Sequence, residues 1–145
     1  TVINTVARDL NVRKKVNENL KQYSIQFATL IHPSVNSKYA YVEDNVLISK
    51  NVYIEPRAKI MAGTMGLPNT TIGHDVTISK NCFIGSGCHL GGFSTFGENC
   101  LVGAGSSIHP NISISRDCKI GVNSSIFSNL KPESVVFNKP VQNLN

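Results

Sequence analysis

A hydrophobic repeat with a period of six residues runs along the chain from residue 42 to residue 126. Fourteen of the fifteen residues at this spacing are large and apolar, and only Gly66 is not. The series is Val42, Ile48, Ile54, Ile60, Gly66, Ile72, Ile78, Ile84, Leu90, Phe96, Val102, Ile108, Ile114, Ile120 and Ile126. A helix repeats every 3.6 residues and a strand every two, so neither sustains this period. A coil of short parallel strands joined by tight turns does sustain it.

A second column of smaller side chains keeps the same phase, two residues before the first. It includes Cys82, Cys88, Cys100 and Cys118, three of which are eighteen residues apart. No Cys-x-x-Cys or Cys/His ligand spacing accompanies them. We therefore interpret all four cysteines as core side chains, and we expect no metal site.

The two columns predict an all-β fold, a parallel β-helix over about residues 40 to 130. The pattern resembles that of hexapeptide-repeat proteins, in which three six-residue segments form one triangular, left-handed coil. The resemblance implies about five coils and stacking of residues that are eighteen apart. The left hand rests on this resemblance alone, because parallel crossovers elsewhere are nearly always right-handed.

The segments outside the repeat indicate a short α/β unit before the coil and a tail after it. Residues 5 to 22 have helical spacing, with Arg13 among the basic residues expected to face water, and Phe27 to Ile31 read as a strand. Residues 1–31 are therefore predicted to be the end of an α/β unit, 32–130 the β-helix, and 131–145 a C-terminal tail. Because the chain begins at Thr1 without a methionine, we expect an upstream segment.

Composition places the chain among soluble globular proteins. Its 145 residues contain no apolar run of eighteen and no signal-peptide core, so we expect a cytoplasmic protein without membrane insertion. The formal net charge is +5, but the basic residues are dispersed and no aromatic platform accompanies them, which argues against nucleic acid. The basicity suits a polyphosphate cofactor or an ordinary solvated surface.

The His74–Asp75 pair is the best candidate for chemistry. Its place in the six-residue period puts His74 at a turn of the prism, with Pro56 and Gly92 as its stacked neighbours eighteen residues away. Asp75 could orient the imidazole, and a histidine so placed suits a general base that deprotonates an amine or hydroxyl attacking a carbonyl. The alternative is a solvated turn histidine followed by a turn-forming aspartate.

Four short segments give the chain its resemblance to a family. They are Phe27–Ser34 at the entry to the coil, Asn69–Asp75, Gly97–Gly103, and Asn138–Pro140 near the end. The chain resembles the hexapeptide-repeat sugar acetyltransferases of bacterial glycan synthesis, which act on sialic acids or on nucleotide-linked amino sugars. The resemblance implies acetyl-CoA as co-substrate, no metal, and a homotrimer with its sites between subunits. It also implies that residues 1–31 are the remnant of an N-terminal α/β sugar-nucleotide-binding domain.

The resemblance also implies roles for individual residues. His74 is the expected general base, and Asp75 is the acid beside it. Phe83 stands where relatives often carry a second histidine near the thioester. The other residues expected along the cofactor are Gly92, Gly103, Ala104 and Gly121, with Lys139 and Pro140 near its nucleotide end.

Three functions remain open at this stage. The first is N-acetylation of a nucleotide-linked 4-amino-deoxy sugar. The second is O-acetylation of a sialic acid or another glycan hydroxyl, and we favour the first slightly over it. The third is a non-catalytic β-helix scaffold, which Phe83 supports. A zinc lyase on the same coil is disfavoured, because His74, His89 and His109 fall at three different phases of the repeat.

Overall fold

The computed structural model describes residues 1–6 and 9–138, which form one helix and seventeen two-residue strands. Over these ranges, no helix combines the length and hydropathy that a membrane span requires. The helix is α1 (Leu10–Lys21). The strands are β1 (Leu30–Ile31), β2 (Tyr41–Val42), β3 (Leu47–Ile48), β4 (Tyr53–Ile54), β5 (Lys59–Ile60), β6 (Met65–Gly66), β7 (Thr71–Ile72), β8 (Thr77–Ile78), β9 (Phe83–Ile84), β10 (His89–Leu90), β11 (Thr95–Phe96), β12 (Leu101–Val102), β13 (Ser107–Ile108), β14 (Ser113–Ile114), β15 (Lys119–Ile120), β16 (Ser125–Ile126) and β17 (Val135–Val136).

The strands form three parallel sheets, which are the faces of a triangular prism. Face 1 is β1-β3-β6-β9-β12-β15-β17, face 2 is β4-β7-β10-β13-β16, and face 3 is β2-β5-β8-β11-β14. Residues eighteen apart are paired, as Thr71 is with His89 and His89 with Ser107. The predicted left-handed parallel β-helix is confirmed.

The six-residue period exists because each strand of the coil sends one side chain inward and each corner sends in one more. The second residue of each strand from β3 to β16 is buried, and so are the small side chains of the second column. One residue of most turns has positive φ, and most of these residues are Asn, Asp or Gly. These residue types adopt that conformation at the least cost, which is why they recur at this position.

The four cysteines lie in the core, as predicted, and all are free thiols. Each Sγ lies near a backbone carbonyl of the next coil, with Cys82 3.2 Å from the Gly97 oxygen and Cys100 3.0 Å from the Ser115 oxygen. Burial raises the pKa of the Cys88 thiol. These thiols are therefore packing groups with weak hydrogen bonds.

The coil continues past the last predicted strand, so the sequence undercounts its turns. Leu130 bridges to Ile114, and Val136 in β17 pairs with Ile120, so both partners are sixteen residues apart instead of eighteen. The phase of the repeat shifts by two residues after Ile126, which hides this last turn from a strict six-residue count. Face 1 gains a seventh strand, and β17 lies inside the segment that the sequence assigned to the tail.

Helix α1 starts later than the sequence suggests and packs on the corner between faces 3 and 1. Asp9 caps it by accepting hydrogen bonds from the backbone N–H groups of Asn11 and Val12. The Asn81 side chain donates to the Leu10 carbonyl oxygen at 2.9 Å. Arg13 is only 1% exposed, so the prediction that it faces water was wrong. Its burial lowers its pKa to about 10, which leaves it protonated at neutral pH.

The packing predicts a large contrast between two phenylalanines of the coil. Phe96 is 1% exposed and Phe127 is 74% exposed. Phe96→Ala leaves a cavity in the core, so we expect it to lower the free energy of unfolding by about 3–5 kcal/mol. Phe127→Ala should change it by less than about 0.5 kcal/mol. Urea denaturation measures both, and equal losses would contradict the inward assignment of the repeat.

Candidate active site

His74 lies in the turn between β7 and β8, where face 2 meets face 3. The four stacked turns 55–58, 73–76, 91–94 and 109–112 form this edge of the prism, which we call the His74 corner. The His74 side chain is 46% exposed. Gly92 is stacked directly on it, as the eighteen-residue rule predicts.

A hydrogen bond joins the histidine to the adjacent carboxylate. The His74 Nδ1 atom is 2.9 Å from the Asp75 Oδ2 atom. An ionised carboxylate can only accept, so Nδ1 carries the proton in the neutral ring and Nε2 keeps its lone pair. This tautomer leaves Nε2 able to take a proton from a bound molecule.

Arg57 holds the same carboxylate from the preceding coil. Its Nε donates to Asp75 Oδ1 and its Nη2 donates to Oδ2, both at 2.7 Å, which is a two-pronged ion pair. Arg57 and then His74, by their hydrogen bonds, lower the pKa of Asp75 to about 2. The carboxylate is therefore ionised and fixed in direction throughout the neutral pH range.

Neighbouring coils also hold the backbone and the ring of His74. Its N–H donates to the Glu55 Oε2 atom at 2.8 Å, and its carbonyl oxygen accepts from the Phe93 N–H at 3.0 Å. The Phe93 ring meets the imidazole edge-on, with centroids 4.9 Å apart and planes at 89°. The imidazole thus has a fixed position although nearly half of it faces solvent.

Within the repeat, two residues with strained backbone flank this pair. Arg57, Asp75 and Phe93 stack eighteen residues apart, and their φ angles are +64°, +59° and +60°. Aspartate tolerates this conformation, but arginine and phenylalanine do so only at a cost. From Asn45 to Asn123, the other positive-φ residues are Asn, Asp or Gly. Strained residues of this kind cluster at functional sites.

Sequence reasoning missed Arg57 and Phe93, although the sequence carries a signal for both. Every sixth residue from Asn45 is a corner position that favours Asn, Asp or Gly. Arg57 and Phe93 break that preference at the two positions that flank Asp75 by eighteen residues. Reading this third column, as well as the two inward ones, would have found them.

The candidate glycines differ in what requires each of them. A Cβ atom on Gly92 would lie 2.7 Å from His74 Nε2, so this glycine makes room for the imidazole itself. A Cβ on Gly103 would lie 2.5 Å from the Val122 nitrogen, and one on Gly121 would lie 2.7 Å from a Phe137 ring carbon. The stacking of coils therefore explains why Gly103 and Gly121 are glycines, whereas Gly92 is a glycine because the His74 ring packs against it.

The predicted cofactor residues do not meet at one corner. Gly103, Ala104 and Gly121 lie between faces 1 and 2, on the far side of face 2 from His74. The N–H groups of Gly103 and Gly121 donate to carbonyls of the next coil at 2.7 Å. Within the described residues, the N–H groups of Ala104 and Gly92 have no such acceptor. Lys139 and Pro140 lie outside the residues that the structure describes.

The remaining candidates lie away from the His74 corner or do not contact the ring. Phe83 is on face 1, which is the face opposite that corner. His89 points outward from face 2, and His109 lies near Phe127, with ring centroids 5.8 Å apart. Within residues 1–6 and 9–138, no three His, Cys, Asp or Glu side chains are grouped to hold a metal ion.

Known proteins resemble this chain in two respects, the six-residue repeat and the overall fold. The family described as the hexapeptide repeat of succinyl-transferase matches residues 95–128. No curated protein sequence matches the chain.

Two solved structures resemble the chain over most of its length. The acetyltransferase domain of PglB from Neisseria gonorrhoeae, in complex with acetyl coenzyme A, has a TM-score of 0.84 and 20% identity over 91% of the chain. A mutant perosamine N-acetyltransferase from Caulobacter crescentus, in complex with CoA and GDP-perosamine, has a TM-score of 0.77 and 20% identity over 90%. The chain covers 66% and 62% of these proteins, which is less than two thirds of either. The likeness establishes the fold.

The strain at the His74 corner predicts a stabilising substitution. Phe93→Asn should raise the free energy of unfolding by about 1 kcal/mol, because asparagine tolerates the positive φ and Phe93 is already 53% exposed. The reverse change one coil further on, Asn111→Phe, should lower it by a similar amount. Urea denaturation compares the three proteins. A destabilised Phe93→Asn variant would show that the Phe93 contacts outweigh the strain.

Proposed function

We propose that this protein is an acetyl-CoA-dependent acetyltransferase that acts on a sugar. The observation that carries the proposal is the fixed His74–Asp75 pair, with Nδ1 hydrogen-bonded to the carboxylate and Nε2 left free. The likeness of the protein's fold to the PglB acetyltransferase domain and to perosamine N-acetyltransferase supports the same chemistry. The favoured acceptor is the amino group of a nucleotide-linked 4-amino-deoxy sugar.

In the proposed reaction, His74 handles one proton in a direct transfer. Nε2 accepts a proton as the amine nitrogen attacks the thioester carbonyl, and the carbon–sulfur bond then breaks. The proton passes from the imidazolium to the departing CoA thiolate, so the products are an amide and free CoA. Asp75 stabilises the imidazolium between these steps, and Arg57 keeps the carboxylate in place.

The oxygen of the thioester carbonyl needs a donor while it carries negative charge. We assign this role to the Gly92 N–H, because Gly92 lies against the His74 ring and its N–H has no acceptor among the described residues. The Ala104 N–H also has no acceptor among the described residues, and we assign it to the pantetheine arm of acetyl-CoA. With acetyl-CoA as co-substrate, the reaction belongs in the cytoplasm.

The acceptor atom separates this proposal from its nearest alternative. O-acetylation of a sialic acid hydroxyl would use the same base and the same donor, so the pair at His74 serves either. A scaffold without activity would have no need of two strained residues beside a histidine. The strain at Arg57 and Phe93 therefore favours an enzyme.

The proposed role of His74 as general base can be tested by measuring acetyl-CoA binding and turnover separately. We expect His74→Ala to bind acetyl-CoA within about threefold of the parent in calorimetry. Release of CoA with an added amino sugar should fall by at least about a hundredfold, which is the usual contribution of a general base. His32→Ala, at the exposed first turn of the coil, should leave both unchanged. Undiminished turnover in His74→Ala would contradict the assignment, and no binding by either protein would favour the scaffold.

We also propose a homotrimer, with each site formed between two prisms. Face 1 lies opposite the His74 corner, so Phe83 of one subunit can approach only the His74 imidazole of a neighbouring subunit. Side by side packing around a threefold axis brings such surfaces together. Sedimentation velocity at micromolar concentration should show a trimer, and a monomer would contradict this arrangement.

A further inference from the structure

A second surface feature adjoins the His74 corner on the side of the earlier coils. It is a cleft of about 540 Å³ at the start of face 3, and its lining includes Lys38, Tyr39, Tyr41, Arg57, Lys59 and Asp75. We call it the face 3 cleft. Because Asp75 lines it and also holds His74, a molecule in this cleft lies beside the proposed base.

The cleft has an excess of positive charge. Lys38, Arg57 and Lys59 line it, and Asp75 is the one carboxylate among its lining residues. Arg57 uses Nε and Nη2 on Asp75, and its Nη1 has no acceptor among the described residues. A guanidinium can therefore bind a second anion through Nη1 while it keeps the Asp75 carboxylate in position.

Two tyrosines give the cleft aromatic walls. Tyr39 and Tyr41 are 64% and 56% exposed, and the Lys38 ammonium lies 5.3 Å from the centre of the Tyr39 ring. Exposed tyrosine rings offer an apolar surface with a polar hydroxyl, which suits the face of a sugar or a base. Cations beside such rings suit a ligand that is both cyclic and negatively charged.

The residues of the cleft depart from the pattern of the rest of face 3. The outward positions of β8, β11 and β14 are Thr77, Thr95 and Ser113, whereas β2 and β5 present Tyr41 and Lys59. The large and charged side chains are thus confined to the two strands before His74. Arg57 also keeps its strained backbone there, and its N–H donates to the Tyr39 carbonyl oxygen at 2.7 Å.

We propose that the face 3 cleft binds the anionic group of the acceptor, a carboxylate or a phosphate attached to the sugar. Calling this ligand the acceptor rests on the proposed acetyl transfer, but the binding of an anion to the cleft does not require turnover. It orders the site along the prism, with the acceptor anion at Lys59 and Arg57, the base at His74, and the acetyl donor on the side of Gly92. Lys59 and Tyr41 then determine acceptor specificity.

Binding to the full chain can be measured by backbone amide shifts of the ¹⁵N-labelled protein. The probes are N-acetylneuraminic acid, which carries a carboxylate, UDP, which carries phosphates, and neutral N-acetylglucosamine. We expect one or both anionic probes to shift the signals of residues 38–41 and 57–59, and the neutral sugar to leave them unchanged. The anionic probe that binds more tightly identifies the acceptor class. Equal shifts with the neutral sugar, or none with either anion, would overturn the proposal.

Lys59 and Lys119 provide a matched pair of variants. Each is the exposed first residue of a two-residue strand followed by a buried isoleucine, but Lys119 is on face 1. Lys59→Ala should weaken binding of the anionic probe by about tenfold, since a charged hydrogen bond is lost. Lys119→Ala should leave it unchanged, and equal weakening by the two variants would contradict the site.

Turnover measurements separate this proposal from the proposed function. Lys59→Ala should raise the acceptor KM by a similar factor while kcat and acetyl-CoA binding stay near the parent values. If the anions bind the cleft but the parent protein releases no CoA, the acetyl transfer fails and the anion site stands. If the parent is active and Lys59→Ala has the parent KM, the anion site fails and the acetyl transfer stands.

Discussion

The hydrogen bonds between successive coils are the constraint on which the structure depends. Every strand of the coil pairs in parallel with the strand about eighteen residues away, and the turns continue the same ladder, as Gly73 N–H does to the Leu90 carbonyl oxygen. Each residue therefore has fixed neighbours in the coils before and after it. Unlike a helical bundle, this fold builds a site along one edge by stacking turns, so one register decides which side chains meet.

The His74 corner shows what that register makes possible and what it costs. The turn geometry places a residue in the left-handed conformation, and Asn, Asp or Gly satisfies that need elsewhere in the column. Arg57 and Phe93 accept the strain because their side chains reach Asp75 and His74. About 1 kcal/mol of strain per residue is small beside the ladder that holds each turn. A rigid coil can therefore carry a strained site without losing its shape.

The three faces of the prism differ in the side chains that they present outward. Face 1 presents mostly apolar side chains outward, including Phe83, whereas faces 2 and 3 present mainly Thr, Ser and His beyond their first strands. The candidate catalytic residues His74 and Asp75 lie at an edge, where a turn leaves backbone N–H groups and side chains accessible. Within one prism, the apolar face 1 and the His74 corner lie on opposite sides. The face 3 cleft adjoins that edge, and the proposed homotrimer would bring face 1 of one subunit to the His74 corner of another.

The sequence by itself determined the coil, because a six-residue period in two columns is compatible with few other folds. Together with the resemblance, which implies stacking at eighteen residues, it also predicted that His74, Asp75 and Gly92 meet. Only the tertiary structure decided the rest. It showed that Gly103 and Gly121 use their amides within the coil, that the Arg13 side chain of α1 is buried, and that the last turn shifts phase by two residues. It also showed that Arg57 holds Asp75. These outcomes depend on side-chain direction and on contacts between coils, and a repeat pattern specifies position without specifying either.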